Sequence, residues 1–287
     1  QIAASLREPL KLKALAKRLS AQYLKYDFAE NILESHLQSV GSSISKNDFI
    51  LMEGTDISKK HAKYMEGLEF VRNGDTGQTG LGYNVLNINA INMHKETTPL
   101  YSKAYSYQVG ALSSNSEVKK AVLAVRAHLD NKGCWVFDRG ADNTILKDFF
   151  TQQCSQCLIR LKRNSKLNHK GEELKVSQIE QRIAYITSQQ VIKIKKEKPV
   201  VRTYELAAAK VMYTTAKGKQ IPLWLVISRS KQHGGVCYLL VKSNLCSAIE
   251  VAQWAFKGYG LRWKIEEYHR HVKQEYRLED VQIKTFN

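Results

Sequence analysis

The sequence has few cysteines and no long apolar run. Its longest apolar stretches, such as 221–227, are far shorter than the ~20 residues of a membrane-spanning helix, which excludes such a span. The five cysteines are an odd number without a paired framework, so a disulfide-stabilised secreted domain is not expected. Cys154 and Cys157 form a CxxC pair, but no second pair follows at zinc-finger spacing. Reduced thiols in a cytosolic protein are therefore favoured over a metal or redox site.

Acidic residues are scarce relative to basic ones. The chain has 27 Asp and Glu against 44 Lys and Arg, a net charge of +17. This excess predicts a polyanionic partner, with nucleic acid ahead of a membrane surface or an acidic protein. A basic surface with no specific partner is the alternative.

Length and hydrophobic content bound the architecture. With 287 residues, 43% of them hydrophobic, the chain has enough apolar material for one large domain or two smaller ones. The sequence begins at Gln1 with neither a Met nor a signal segment, and we expect it to be a fragment or a processed form.

Residues 1–47 are predicted to be helical. Apolar and aromatic side chains recur there at helical spacing, in Leu12, Leu15, Leu19, Tyr23 and Tyr26. Gly41 and two following serines mark the end of the pattern. The apolar face of this segment is expected either to lie on DNA or to pack on the next domain.

Two short apolar strands lead into acidic residues. Residues 49–52 run into the segment from Glu53 to Asp56, and residues 134–137 run directly into Asp138. Both patterns are typical of buried strands that deliver an acidic side chain at their C-terminal end. If the two strands are neighbours, Asp56 and Asp138 lie side by side.

The surrounding patterns predict an α/β domain in which strands and helices alternate. Two strands that form a meander are predicted at 83–91 and 100–107. Two helices are predicted at 116–129 and 143–150, and a further strand at 157–161. From 163 to 235 the pattern changes to short strands and turns, including 191–194, 200–206 and 210–214. Between Leu158 and Arg202 there are 12 Lys or Arg against 4 Glu, which predicts a basic, β-rich insertion. Helical character resumes at Ser247, with a break at 258–260.

The late helix carries four polar residues at regular spacing. Tyr259, Arg262, Glu266 and Lys273 are separated by 3, 4 and 7 positions. At 100° per residue they fall within an arc of about 60°. Phosphoryl transfer on nucleic acid commonly uses two divalent metals clamped by a few carboxylates, and Glu266 could complete such a set with Asp56 and Asp138. The alternative is a solvated face with an Arg262 to Glu266 pair.

Through the two acidic strand ends and the four residues of the late helix, the sequence resembles the DDE transposases of the insertion-sequence-four type. Their signature Tyr-x2-Arg-x3-Glu-x6-Lys is matched by the four residues of the late helix. The segments 54–57 and 136–140 resemble the two strands that carry the family's Asp residues. The resemblance spans about residues 48–276. It implies a ribonuclease-H-like mixed sheet flanked by helices, in which 48–162 and 236–287 form the core and 163–235 is a β-rich insertion.

The resemblance also implies a chemistry. Asp56, Asp138 and Glu266 would hold two Mg²⁺ ions, with Mn²⁺ able to substitute, and Tyr259, Arg262 and Lys273 would bind DNA phosphates near the cut end. The expected partner is double-stranded DNA, at transposon ends and target, bound by a homodimer on paired ends. The expected location is the bacterial cytoplasm, at the nucleoid when DNA is bound.

Two other functions remain open on the sequence. A ribonuclease-H-like nuclease would use the same acids without the Tyr, Arg and Lys face, and would cut without joining strands. A catalytically silent DNA-binding protein derived from a transposase would do neither. Trp224 and Trp254 are candidates to stack on a flipped base, whereas Trp263 is expected in the core.

Overall fold

The structure is a computed structural model that describes residues 11–25, 28–62, 64–74, 77–195 and 198–280. Within these ranges no helix has both the length and the hydrophobicity needed to cross a membrane.

The predicted helical segment contains two helices, α1 (Leu12–Lys25) and α2 (Ala29–Gly41). The second ends at the expected glycine, and its Leu37 is buried in the main core cluster. Residues 1–10 and Tyr26 belong to the same prediction but lie outside the described residues.

The centre of the fold is a mixed sheet built on β1. Strand β1 pairs antiparallel with β3, and both β2 and β4 pair with the other edge of β3. On its second side β1 is parallel to β5, which is parallel to β6. The elements are β1 (Phe49–Ser58), β2 (Glu69–Arg72), β3 (Thr79–Ile91), β4 (Thr97–Tyr105), α3 (Ser114–Arg126), β5 (Cys134–Phe137), α4 (Thr144–Gln153) and β6 (Cys157–Leu161). The resulting order β4-β3-β1-β5-β6, flanked by helices, confirms the predicted ribonuclease-H-like α/β fold.

The basic segment continues this sheet. Strand β12 pairs antiparallel with β6, and β11 and β10 follow, so that the sheet has 12 strands among the described residues. The elements are β7 (Lys166–His169), β8 (Glu172–Lys175), α5 (Val176–Glu180), β9 (Thr187–Lys195), β10 (Lys198–Thr214), β11 (Gln220–Ser230) and β12 (Val236–Lys242). The division of the chain at 163 and 235 stays a prediction.

One strand prediction in this segment was too short. The two strands expected at 200–206 and 210–214 form the single strand β10. Its register with β11 is unbroken from Tyr204 to Thr214, because the alanines at 207–209 carry no turn signal and continue the pairing.

Two helices, α6 (Ala248–Gly260) and α7 (Trp263–Glu275), follow the sheet. Helix α6 packs through Val251, Ala252 and Ala255 on the layer that contains Phe49 of β1. At Gly258 the approach is so close that an added Cβ would collide with the Phe49 ring. This glycine therefore fixes the C-terminal end of α6 directly over β1.

The break between the late helices lies slightly later than predicted. Helix α6 continues through Gly260, and the turn at Leu261 and Arg262 is closed by i to i+3 backbone bonds of 3.2 and 3.1 Å. Tyr259 therefore lies in α6 and Arg262 in the turn before α7, so the two residues do not share one continuous helical face. The core assignment of Trp263 is wrong, since this residue is 48% exposed, and Leu261 and Ile265 bury instead.

Candidate active site

Adjacent parallel strands bring two acidic residues together. The register pairs Met52 of β1 with Phe137 of β5, and the next residue along each strand is Glu53 and Asp138. Leu51 belongs to the core layer under α6, as does Val136. Because side chains alternate along a strand, both acids point to the face of the sheet that α6 covers.

Asp138 is held by groups from three elements. Its carboxylate accepts hydrogen bonds from the Tyr259 hydroxyl at 2.8 Å and from Arg160 Nη1 at 3.3 Å. Partial burial alone would raise its pKa, but the Arg139 N–H, the Tyr259 bond and the charges of Arg262 and Arg160 hold the pKa of Asp138 below its ordinary value. Burial and the neighbouring Asp138 charge raise the pKa of Tyr259. Asp138 is thus an anion and Tyr259 a neutral donor.

Arg262 bridges two carboxylates. Its Nη1 is 2.6 Å from Glu53 Oε1, and its Nη2 contacts Glu266 Oε1 one turn along α7. Burial raises the pKa of Glu53 to about 7, and the negative charges of Glu266 and Asp138 raise it too, against the attraction of Arg262. The charges of Glu53, Asp138 and Glu266 therefore influence one another, and we call these three residues the acidic cluster; Arg262 lies between Glu53 and Glu266, and Arg160 contacts Asp138.

Asp56 has a different environment. It lies three residues after Glu53 in β1, and alternation starts its side chain on the opposite face. Its Oδ1 accepts hydrogen bonds from the Gly74 N–H at 3.1 Å and from Lys273 Nζ at 3.3 Å. Its side chain is only 6% exposed. The six residues predicted from the sequence thus form two adjacent groups, Asp138 with Tyr259, Arg262 and Glu266, and Asp56 with Lys273.

A cleft of about 840 Å³ opens between β1 and α7, lined among others by Glu53, Thr55, Gly74, Glu266, His269 and Lys273. His269 is buried, and its Nε2 has no hydrogen-bond partner among the described residues. Burial and the charge of Lys273 lower the pKa of His269 to about 4, so its ring is neutral at pH 7. The sequence assigned no role to this residue.

The donor set fits a hard divalent cation. Carboxylate oxygens are the ligands that Mg²⁺ prefers. Glu53 Oε2 and Asp56 Oδ2 are buried and have no partner in the part of the chain that the structure describes. In the described ranges no three His, Cys, Asp or Glu side chains are grouped closely enough to hold a metal. Arg262 explains this spacing, because its guanidinium lies between Glu53 and Glu266.

Glu53 is the site residue that sequence reasoning missed. The prediction took Asp56, the last acid of the segment 53–56, as the acid at the strand's end, and the segment 54–57 resembles the strand that carries the family's first Asp. In the structure β1 continues to Ser58. The alternation of side chains along a strand was the available signal. Glu53 follows the apolar Leu51 by two positions, just as Asp138 follows Val136, so each acid shares a face with an apolar residue of its strand.

Fold and site together define a ribonuclease-H-like domain with acidic residues on its two central parallel strands. The family model for the transposase DDE domain matches residues 45–287. The chain belongs to this family, which supports a transposase function. A comparison with curated proteins found no match.

Proposed function

We propose that this protein cleaves DNA at transposon ends and joins the 3′ ends to a target by the cut-and-paste route of the insertion-sequence-four type. The observation that carries the proposal is that Arg262 binds both Glu53 and Glu266, while the strand register places Asp138 beside Glu53. These are hard oxygen donors on the two central strands and the late helix, where a phosphoryl-transfer site needs them.

Mg²⁺, or Mn²⁺ in its place, would be held in two positions by Asp138, Glu266 and an acid of β1. When bound, the two ions supply activation of the attacking oxygen and stabilisation of the leaving oxygen. The sequence prediction for the β1 ligand is Asp56, whose buried Oδ2 has no described partner. Glu53 is the stronger candidate, because the strand register places it beside Asp138 and Arg262 links it to Glu266.

The DNA-binding residues are paired with acids in the structure. Tyr259 donates to Asp138, Arg262 bridges Glu53 and Glu266, and Lys273 lies 3.3 Å from Asp56. A divalent cation at Glu53, Asp138 and Glu266 would replace the partners of Tyr259 and Arg262 and free these two side chains for DNA. Arg262 would then grip a phosphate by two hydrogen bonds, and Lys273, whose partner is Asp56, would add a point charge.

The assembly and location that we propose rest on the family resemblance and the net charge of +17. The active species is a homodimer on paired DNA ends, in the bacterial cytoplasm at the nucleoid.

The test uses a supercoiled plasmid carrying the DNA that flanks the coding sequence in its genome. Purified protein with Mg²⁺ or Mn²⁺ is expected to release the element and to join its 3′ ends to a second plasmid. Asp138→Asn is expected to abolish both steps while DNA binding persists, because only a ligand is lost. Cleavage of the plasmid without joining of the 3′ ends would instead support the hypothesis of a ribonuclease-H-like nuclease. DNA binding with no cleavage under either metal would support a silent transposase-derived protein.

A further inference from the structure

Strands β9 and β10 extend beyond the rest of the sheet. Strand β10 pairs with β11 only from Tyr204 onward, whereas its pairing with β9 begins at Lys198. Residues 190–195 and 198–203 therefore form a two-stranded segment with six register pairs, and no third strand from the described residues pairs with it. We call this segment the ribbon. At about 3.4 Å per residue its length is roughly 20 Å.

The ribbon extends from the end of the sheet where the acidic cluster lies, that is, where β5 ends. Following the registers across the sheet from the end of β5 gives Phe137, Ile159, Leu240, Leu225 and Ala209 at one level. Strand β10 is antiparallel to β5. From this level, Asp138 at the C-terminal end of β5 and Thr203 toward the N-terminal end of β10 therefore lie in the same direction. Four strand spacings of about 4.8 Å separate the two strands, so the ribbon is offset laterally by about 19 Å. It begins at Thr203, six residues from Ala209, and therefore roughly 20 Å beyond the level of Phe137 along the strand direction.

The two faces of the ribbon differ in chemistry. Ile192 is paired with Val201 and Ile194 with Pro199, so these four residues share one face. Ile192 is 69% exposed, Ile194 81% and Val201 48%, which makes this face an uncovered apolar surface.

The opposite face carries Lys198 and Arg202, together with Val191 and Val200. Neither Lys198 nor Arg202 makes an ion pair with the described part of the chain. By alternation Arg202 shares its side of β10 with Leu206, which packs in the layer under α6. The basic face of the ribbon therefore lies on the same side of the sheet as Glu53 and Asp138.

We propose that the ribbon enters a groove of the duplex whose phosphate is held at the acidic cluster. Lys198 and Arg202 contact backbone phosphates, while Ile192 and Ile194 contact sugars and base edges. A two-stranded ribbon fits the major groove, which is about 12 Å wide, and apolar side chains commonly contact base edges or wedge between them. A lateral offset of about 19 Å is comparable to the width of a duplex. The proposal rests on the proposed function, because it needs DNA at the acids.

DNA accounts for the ribbon better than a second copy of this chain does. A stable protein interface buries about 800 Å² on each partner, contributed by 20 to 30 residues. One face of a segment with six register pairs supplies far less. A copy of a chain with net charge +17 would also bring further positive charge to Lys198 and Arg202, whereas DNA neutralises them.

The first test replaces Ile194 by the photo-crosslinking residue benzoylphenylalanine in the full chain. Illumination with a labelled duplex of random sequence is expected to attach the ribbon to DNA. The matched control is the same substitution at Ile249, an exposed isoleucine at the start of α6 on the opposite edge of the sheet. Crosslinks from position 194 to a second protein chain, or equal DNA crosslinking from position 249, would overturn the proposal.

The second test measures the salt dependence of duplex affinity by fluorescence anisotropy. The double variant Lys198→Gln with Arg202→Gln is expected to lose about two phosphate contacts, which lowers the slope of log K against log salt by about 1.8. The matched control is Lys217→Gln with Lys219→Gln, two exposed lysines in the turn at the other end of β10.

The outcomes separate the two proposals. A wild-type slope in the ribbon variant, or an equal loss in the turn variant, contradicts a specific role for the ribbon while DNA binding by the protein stands. Failure of the wild-type protein to bind the duplex contradicts the proposed function itself. A melting curve for each variant confirms that it folds.

Discussion

The guanidinium of Arg262 lies 2.6 Å from the carboxylate of Glu53, and this contact joins the start of α7 to the middle of β1. The same guanidinium contacts Glu266. Side chains separated by more than 200 positions are thereby assembled around one cation. A divalent metal held by these carboxylates would release Arg262 to contact DNA, as the proposed function requires.

The first prediction concerns which acid of β1 binds metal. Glu53→Gln is expected to lower Mn²⁺ affinity and plasmid cleavage by more than about 100-fold, since even an outer-shell partner of a metal ligand is worth 10- to 100-fold. Asp56→Asn is expected to cost less, because Asp56 bonds to Gly74 and Lys273. Isothermal titration with Mn²⁺ and the cleavage assay measure both. The reverse ranking would restore Asp56 as the β1 ligand.

The second prediction concerns the glycine that brings α6 onto β1. Gly258→Ala is expected to destabilise the protein by about 1–3 kcal/mol, because its Cβ would overlap the Phe49 ring in a packed layer. Gly260→Ala is the control in the same helix, since a Cβ there meets nothing within 4 Å. Its stability is expected to be unchanged or slightly higher. Urea unfolding of both variants checks this, and equal losses would show that crowding at Phe49 is not the cause.

The order of elements could be predicted from the sequence, because most strands and helices carry their own local signals. The prediction of strand 157–161 matches β6 in full. Asp138 could be placed because it directly follows a run of buried residues. Glu53 could not be placed with the same ease, since its position beside Asp138 depends on the register between β1 and β5.

The rest of the site depends on packing that local patterns do not encode. The bond from Tyr259 to Asp138 requires α6 to end over β1, which follows from the contact of Gly258 with Phe49. The ribbon likewise depends on where β11 stops, at Ser230, and not on any residue within the ribbon. Pairings between distant segments decide both features.

The third prediction concerns pH. The pKa of His269 is lowered to about 4 in the folded protein from an ordinary value near 6.5, mainly by burial. The unfolded chain therefore binds a proton first, so the stability that neutral His269 contributes is present above pH 6.5 and is lost as the pH falls toward 4. The loss is on the order of 3 kcal/mol. Thermal unfolding of His269→Gln is expected to show a shallower decline over this window than the wild type.

The control for this prediction is His233→Gln, because His233 is an exposed histidine in the turn before β12. Its stability is expected to follow the wild-type pH profile. A His269→Gln profile that coincides with the wild type would show that another group causes the acid sensitivity.

The last prediction concerns Arg262 and metal together. Arg262→Gln removes the cation beside Glu53, whose pKa is already raised to about 7 by burial, so the carboxyl takes up a proton and the expected loss of stability is about 1–3 kcal/mol. A divalent metal at the same carboxylates would supply the missing charge, so Mg²⁺ is expected to stabilise Arg262→Gln more than it stabilises the wild type, in which metal must first displace the guanidinium. Thermal unfolding at rising Mg²⁺ concentration measures this difference. Lys264→Gln, which loses a pair with Glu267 and a contact with the Trp263 ring but no contact with Glu53 or Glu266, is the control and should respond to Mg²⁺ as the wild type does. A metal response that is the same in all three proteins would mean that Arg262 does not occupy the position of the metal.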